Sequence, residues 1–219
     1  MAEGRLVIGT KMYSSWSLRG WLAVHLAGLD VEEVVIPLAG GGTEAIKDAT
    51  PAGLVPYLEH RGARIWESIA ILEYCAELEP ALWPEDRVAR ATARSMASEM
   101  HAGFRALRMA MPMVALRRFP GRNRTPEALA DIVRIETIWG EALRASGGPF
   151  LFGARFGAVD AMFAPVVSRF LTWEPELSAL SRDYMASVRA HPLIERWYAE
   201  AAAEPAEWQL AKYEQAAQS

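Results

Sequence analysis

One change of pattern divides this chain and limits what it can fold into. Extended and helical signals alternate over residues 1–80, whereas only helical signals follow. The predicted elements of the first part cover residues 6–8, 17–27, 31–37, 44–48, 55–60, 63–66 and 68–78, with a flexible glycine-rich loop at 39–43. Their order is β-α-β-α-β-β-α. The early crossovers imply parallel pairing, and the turn at Arg61-Gly62 implies an antiparallel hairpin. We therefore predict an α/β domain with a mixed sheet over residues 1–80.

A segment with two prolines, 79–84, links this domain to a second, all-helical domain that we place at 87–219. From Arg87 onward the chain is rich in Ala, Met, Leu and Arg at helical spacing. The predicted helices cover 87–117, 126–145, 158–171, 177–190 and 192–203. Pro112 should kink or end the first of them, because proline cannot donate a helical hydrogen bond.

Composition excludes several classes of protein. The chain has 219 residues, of which 52% are hydrophobic and 23% charged, and its net charge is −4. These values suit a globular protein with a sizeable core and give no indication of nucleic-acid binding. We find no apolar run long enough for a membrane span, no signal-peptide pattern and no histidine spacing typical of a metal site. The single cysteine, Cys75, excludes an internal disulfide and should be a buried small hydrophobe. We expect a cytoplasmic protein with no nucleic-acid, membrane or metal partner.

The segment from Tyr13 to Arg19 follows the first strand and predicts a loop that opens a helix. Ser14, Ser15 or Ser17 can cap this helix, which would place a hydroxyl among unpaired backbone N–H groups at the positive end of the helix dipole. Such a place stabilises an anion, and a thiolate is one candidate. Plain helix capping is the alternative that the serines alone leave open.

This plan, together with four local motifs, resembles the glutathione transferase superfamily. The motifs occur in family order over nearly the whole chain. They are SSWSLR at 14–19, similar to the serine-type motif of theta- and zeta-like classes; PAGLVP at 51–56, similar to Pro-x-Gly-x-Val-Pro; WESIAILEY at 66–74, similar to Glu-Ser-x-Ala-Ile followed by Tyr; and FGAVDA at 156–161, similar to a Ser/Thr-x-x-Asp helix cap. The resemblance implies a thioredoxin-like N-terminal domain, an all-α C-terminal domain, glutathione as co-substrate, a homodimer and a role in detoxification.

Two positions depart from the family pattern. Gly157 stands where Ser or Thr is usual, but glycine can act as an N-cap at a cost of a few tenths of a kcal/mol. Asp160 can still accept a hydrogen bond from the cap backbone. Leu54 stands where many relatives carry Lys or Gln, so a polar contact to glutathione would be missing there.

The resemblance implies a glutathione site built from two short segments. Relatives hold the proline that matches Pro56 in cis, which would present the backbone of Val55, next to Leu54, to the cysteinyl part of the tripeptide. Glu67 would pair with the ammonium of the γ-glutamyl end, and Ser68 would bind its carboxylate. A structural turn proline and a helix-capping pair at Glu67-Ser68 are the alternatives.

In relatives the thiol-activating residue lies four or five positions before the one that matches Arg19, which here is Ser15 or Ser14. We favour Ser15, whose hydroxyl would donate to the glutathione sulfur and stabilise the thiolate. Lowering the thiol pKa by about two units would raise the thiolate fraction at pH 7 roughly thirtyfold. We interpret Ser17 as structural, Tyr13 as an outside candidate, and Arg19 as an anchor of its helix through a carboxylate.

Relatives form the pocket for the second substrate between the first helix of the second domain and the first domain. The candidate residues there are His101, Phe104, Arg108 and Met111. Conjugation of glutathione to a small hydrophobic electrophile is the leading hypothesis for function. The second is an isomerase that uses glutathione catalytically, as zeta-like relatives do with maleylacetoacetate, and the third is a non-catalytic binding protein. Basic residues placed for a dicarboxylate would favour the isomerase, and Arg108, Arg117 and Arg118 are available.

Overall fold

The first domain contains a mixed sheet, as predicted. The computed structural model describes residues 2–38 and 43–215, so most of the predicted loop at 39–43 lies outside the described residues. The strands are β1 Gly4–Gly9, β2 Glu32–Ile36, β3 Tyr57–His60 and β4 Ala63–Trp66. Their order in the sheet is β2-β1-β3-β4. β1 pairs parallel with β2 and antiparallel with β3, and β3 pairs antiparallel with β4.

Three helices complete this domain, and each forms where its capping and apolar residues predict it. They are α1 Ser15–Leu26, α2 Glu44–Ala49 and α3 Ser68–Leu78. α1 packs against α3. A Cβ at Gly20 would lie 2.8 Å from the ring of Pro56, so glycine lets α1 approach the loop before β3 closely. Cys75 lies in the core, where burial raises the pKa of its thiol to about 12, and the prediction of a small buried hydrophobe is confirmed.

The second domain is all-helical over the residues described. Its helices are α4 Arg87–Ala102, α5 Arg105–Ala110, α6 Pro126–Ser146, α7 Ala158–Trp173, α8 Ala179–Arg189, α9 Pro192–Ala202 and α10 Ala211–Gln215. Short 3-10 turns occur at Pro80–Leu82 and Ala206–Trp208. In the part of the chain that the structure describes, we find no helix with the length and apolar character that crossing a membrane requires.

The prediction of one helix over 87–117 is wrong. α4 ends at Ala102, and Gly103 is extended and passes so close to α4 that a Cβ there would lie 2.7 Å from the carbonyl oxygen of Glu99. Phe104 then adopts a left-handed conformation (φ 56°). The short α5 starts anew, with the carboxylate of Asp131 accepting from the Leu107 N–H at 2.9 Å. Apolar spacing continues through the break, so periodicity alone does not reveal it.

The interface between the domains is part of one apolar core. A single cluster of buried side chains spans both domains, and α7 is buried on nearly all sides against α1 and α4. The predicted carboxylate anchor of Arg19 is wrong. Its Nε donates to the carbonyl oxygen of Met162 on α7 at 2.9 Å, and its two terminal nitrogens have no hydrogen-bond partner among the described residues. Arg19 therefore joins the domains through a backbone carbonyl.

The N-terminus of α7 is capped as the sequence predicts despite its glycine. Asp160 is buried, and its carboxylate accepts from the Gly157 N–H at 2.9 Å and from the Leu151 N–H at 3.1 Å. The Tyr184 hydroxyl donates to the same carboxylate at 3.1 Å. Burial raises the pKa of Asp160 to about 6, although these three hydrogen bonds oppose the rise. The carboxylate thus replaces the missing serine hydroxyl as the polar group that orders this turn.

Candidate active site

A cleft of about 440 Å³ opens between the two domains at the N-terminus of α1. From the first domain it is lined by Tyr13, Ser14, Ser15, Trp16, Leu38, Ile46, Gly53, Leu54 and Val55, and from the second by Arg105, Arg108, Met109, Pro112, Met113, Arg169 and Tyr213. A neighbouring depression of about 220 Å³ is lined by Trp16, Ala52, Leu54, Val55, Pro56, Trp66, Glu67 and Ser68. Because three residues line both hollows, the predicted thiol site and the predicted glutathione site form one continuous surface.

Ser14 has the geometry of a helix cap. Its Oγ accepts from the Ser17 N–H at 3.3 Å, which satisfies one of the unpaired donors of the first turn of α1. Its hydroxyl donates to Ser17 Oγ at 2.7 Å, and Ser17 Oγ accepts from the Gly9 N–H at 2.9 Å. The capping alternative therefore accounts for Ser14, and Ser17 joins β1 to α1.

Ser15 contacts a residue that sequence analysis did not identify. Arg169 on α7, 154 positions away, donates from Nη2 to Ser15 Oγ at 3.1 Å. Its Nη1 donates to the Pro165 carbonyl oxygen at 3.2 Å. Burial, reinforced by the neighbouring Arg108, lowers the pKa of Arg169 to about 9, which still leaves it charged at pH 7. An isolated arginine in an apolar helix carries no sequence signal for this contact.

The Val55–Pro56 peptide bond is cis. Beyond it, Ser68 begins α3 with its hydroxyl buried, and Ser68 Oγ has no hydrogen-bond partner in the described part of the chain. Glu67 has φ 68°, and its carboxylate is half exposed beside the depression. These residues lie side by side as the resemblance implies, with a polar group in the depression that the protein itself leaves unpaired.

The four residues predicted for the second pocket are in different environments. Arg108 lines the cleft, whereas Phe104 and Met111 are buried in the core. His101 packs edge-on against the Trp16 ring, with centroids 5.3 Å apart, and its Nε2 is 3.6 Å from a carboxylate oxygen of Glu67. Burial lowers the pKa of His101, which favours the neutral imidazole, although the nearby Glu67 carboxylate opposes this shift.

Positive charge is concentrated around Trp16 and Ser15. The guanidinium groups of Arg19 and Arg108 lie 4.6 Å and 5.1 Å from the Trp16 ring centroid. Burial, followed by the neighbouring Arg169 and Arg108, lowers the pKa of Arg19 well below its usual range. None of the described residues that line the cleft is acidic. The arrangement is suited to binding anions, because unpaired buried charge is otherwise costly.

Tyr13, the outside candidate, lies at the edge of the same cleft. Its hydroxyl accepts from the Leu210 N–H at 3.1 Å, and its ring packs on that of Tyr213 with centroids 5.3 Å apart. These contacts tie Tyr13 to the C-terminal segment. No group of three or more His, Cys, Asp or Glu side chains among the described residues is arranged to hold a metal ion.

Comparison with known proteins finds similarity to one protein family in both domains. The model of the glutathione S-transferase N-terminal domain matches residues 13–78, and that of the glutathione S-transferase C-terminal domain matches residues 122–200. Maleylacetoacetate isomerase of Rattus norvegicus is 29% identical over 184 residues, which cover 81% of this chain and 84% of the relative. The solved maleylacetoacetate isomerase of Anaeromyxobacter dehalogenans 2CP-1, with glutathione in its active site, is 25% identical with a TM-score of 0.66, covering 93% of this chain and 97% of that one. The theta class glutathione S-transferase of Xanthomonas axonopodis pv. citri, with glutathione bound, shares the fold at 22% identity and a TM-score of 0.66, covering 90% of this chain and 98% of the other.

Proposed function

Because this chain belongs to the glutathione S-transferase family, we propose that it is a glutathione-dependent enzyme whose second substrate is a small carboxylate-bearing molecule. Glutathione binds along the surface that runs from Ser68 to Ser15. The γ-glutamyl end lies at Glu67 and Ser68, the cysteinyl backbone lies at Val55, and the sulfur lies near Ser15. The buried, unpaired hydroxyl of Ser68 supports this placement, since a buried polar group without a partner costs about 1–3 kcal/mol unless a ligand satisfies it.

One observation carries the choice of second substrate. Arg105 and Arg108 line the cleft near Ser15, and none of the described lining residues is acidic. Arg169 adds a third positive charge there, although its Nη atoms already donate to Ser15 and to a backbone carbonyl oxygen. Guanidinium groups bind carboxylates with two parallel hydrogen bonds, and they do so most strongly where water is partly excluded. Burial lowers the pKa of Arg108, and Asp131, which does not line the cleft, opposes this shift. A neutral electrophile would leave the remaining positive charge of the cleft unpaired, whereas a dicarboxylate would compensate it.

The reaction that suits this cleft best is cis–trans isomerisation of a dicarboxylate of the maleylacetoacetate type. The glutathione thiolate adds to one carbon of the cis double bond, and the electron pair moves into the conjugated carbonyl to form an enolate. The carbon–carbon bond is then single and rotates. When the enolate collapses, the carbon–sulfur bond breaks, which leaves the trans double bond and unchanged glutathione. Arginine side chains would hold the carboxylates and stabilise the enolate charge. The relatives named maleylacetoacetate isomerase support this choice.

Conjugation of glutathione to a hydrophobic electrophile is the second candidate. Apolar side chains also line the cleft, including Leu38, Ile46, Met109 and Met113. They would accommodate an aromatic or alkyl substrate. Both reactions use the same thiolate and differ in whether glutathione is consumed.

A paired assay tests the proposal. The protein is supplied with glutathione and either maleylacetoacetate or an aryl halide, and both the product and the remaining glutathione are measured. We expect the trans isomer with the glutathione concentration unchanged. Arg108→Gln should raise KM for the diacid about tenfold to hundredfold, the size of a lost charged hydrogen bond, with little effect on the aryl halide.

Arg118→Gln is the matched control, because Arg118 is exposed and paired with Glu174 at 2.6 Å, and it does not line the cleft. Its KM for the diacid should equal that of the wild type. Stoichiometric consumption of glutathione without any trans product would show that the chain is a conjugating transferase and not an isomerase.

We propose further that the chain forms a homodimer, as its family resemblance implies. Exposed apolar side chains on α4 and α6 support this, with Val88 74% and Val133 65% exposed in the single chain. Light scattering at micromolar concentration should give twice the mass of one 24.2 kDa chain. The monomer mass would contradict the proposal.

A further inference from the structure

Ser14 and Ser15 present their hydroxyl protons differently. A serine hydroxyl has one proton to donate. That of Ser14 is donated to Ser17 Oγ at 2.7 Å, and Ser17 Oγ also accepts from the Gly9 N–H at 2.9 Å. The Ser14 proton is therefore engaged with Ser17, while Ser14 Oγ caps α1 by accepting from the Ser17 N–H.

Ser15 Oγ is an acceptor in the hydrogen bond it makes. Arg169 Nη2 donates to it at 3.1 Å, and Ser15 Oγ makes no other hydrogen bond within residues 2–38 and 43–215. Because a guanidinium has no acceptor, the Ser15 proton cannot point at Arg169. The Ser15 proton therefore points in another direction. Ser15 lines the cleft in which the glutathione sulfur would lie.

Arg169 is held in this place by the fold. Its side chain is 4% exposed, its Nη1 is fixed to the Pro165 carbonyl oxygen within α7, and it forms no salt bridge with an acidic side chain among the described residues. A buried arginine without an acid is costly, so an anion in the cleft is the natural counter-charge.

We propose that Arg169 is the positioning residue of the thiol site: it holds Ser15 Oγ as an acceptor so that the Ser15 hydroxyl donates to the sulfur of bound glutathione, and its charge adds to the stabilisation of the thiolate. In this step the thiol S–H bond breaks, its proton leaves to solvent, and the Ser15 O–H bond stays intact. The inference rests on the glutathione site of the proposed function, but it does not depend on which second substrate is used. It assigns the thiolate contact to Ser15 and places part of the thiol site in the second domain.

The test is a pH titration of thiolate ultraviolet absorbance in the complex of the full chain with glutathione alone, with affinity measured by calorimetry. Arg169→Met should raise the apparent pKa of the bound thiol by about one unit, so that the thiolate fraction at pH 6.5 falls about fivefold from the half-ionised state expected for a thiol pKa of about 6.5. The Kd for glutathione should change less than threefold, since other residues hold the rest of the tripeptide. Arg189→Met is the matched control, because Arg189 lies in the same domain over the Tyr198 ring at 4.2 Å and does not line the cleft.

Two further variants separate positioning from a general structural effect. Arg169→Lys keeps a positive charge and a donor, and should recover most of the lost thiolate fraction; it also serves if the methionine variant does not fold. The effect of Arg169→Met on the thiol pKa should be smaller in the Ser15→Ala background than in the wild type, because part of this effect passes through Ser15.

The possible results are distinguishable. If the wild type does not bind glutathione at millimolar concentration, the proposed function fails and this inference fails with it. If glutathione binds but Arg169→Met leaves the thiol pKa unchanged, only the inference is overturned. It is also overturned if the pKa responds to Ser14→Ala and not to Ser15→Ala.

Discussion

Replacement of Lys11 by methionine should destabilise the junction between the domains that supports the serine loop. The Lys11 side chain is 4% exposed, and its Nζ forms ion pairs with Glu33 on β2 and Glu200 on α9. The ammonium also lies between two indole rings, 5.4 Å from the centroid of Trp21 and 5.3 Å from that of Trp197. One cation therefore links carboxylates and aromatic rings from both domains.

The expected loss of unfolding free energy follows from the ionisation of Glu33. Burial opposes ionisation, but the neighbouring His25, 3.9 Å away, and hydrogen bonds from Lys11 and Trp21 hold the pKa of Glu33 at about 2, against an ordinary value of 4.5. This difference corresponds to about 3 kcal/mol at neutral pH, of which Lys11 supplies a part. The two cation–π contacts add about 0.5–1 kcal/mol each. Since the carboxylates remain partly exposed, we expect Lys11→Met to lower the free energy of unfolding by about 2–4 kcal/mol.

The effect should depend on pH in a defined direction. The pKa of Glu33 is depressed in the folded state, so its stabilising contribution is present above about pH 4.5 and is lost as the pH falls towards 2. The difference between wild type and Lys11→Met should therefore be largest near pH 7 and shrink below pH 4.5. Urea unfolding followed by tryptophan fluorescence measures it at each pH.

Lys47→Met is the matched control, because Lys47 pairs with Glu44 at 2.7 Å on the surface, where both side chains are mostly exposed. Its expected effect is below about 0.5 kcal/mol. A loss of less than 1 kcal/mol for Lys11→Met, or a loss that stays constant from pH 7 to pH 3, would show that Lys11 does not stabilise the ionised Glu33.

Three further changes test other parts of the structure. Ser68→Ala should weaken glutathione binding by about 1–3 kcal/mol in calorimetry, because a charged end of the ligand loses a hydrogen bond; equal affinity would place the γ-glutamyl end elsewhere. Asp160→Ala should lower the free energy of unfolding by about 3–5 kcal/mol, since two buried donors and one partly buried donor lose their acceptor; a loss under 1 kcal/mol would show that water replaces the carboxylate. Cys75 should resist a thiol reagent at pH 8 in the folded protein and react after unfolding, because burial raises its pKa to about 12; rapid labelling without denaturant would contradict this.

Much of the fold could be predicted because its signals are local. α3 begins at Ser68 and ends at Leu78 as the sequence predicts, and the other helices of the first domain differ by at most two residues at either end. Caps, apolar spacing and turn residues act within a few positions, so they can be read from the chain. The helix break at Gly103 has no such local signal, because it depends on a close contact with Glu99 and on a carboxylate from α6.

The candidate site was predicted in part, for a related reason. Motif residues such as Val55 and Ser68 could be named because their surroundings are short segments of the chain. The residues that contact the motif residues across the domain interface could not be predicted in this way. Periodicity places Arg169 on a helix, but only the packing of α7 against α1 brings its guanidinium to Ser15. The prediction that Arg19 meets a carboxylate failed because the tertiary structure supplies a carbonyl oxygen instead.

Two domains, a mixed sheet followed by helices, and a loop of serines at the start of α1 could all be predicted from the chain alone. These features follow from hydrophobic spacing, hydrogen bonding and dihedral preferences over a few residues, which are properties of the chain before it folds. The folded structure was needed to show that Ser15 accepts from Arg169, that arginines gather around the cleft, and that Lys11 joins the domains. Those outcomes depend on burial and on contacts between side chains more than 150 positions apart, whose energies arise only when packing excludes water and brings the groups together.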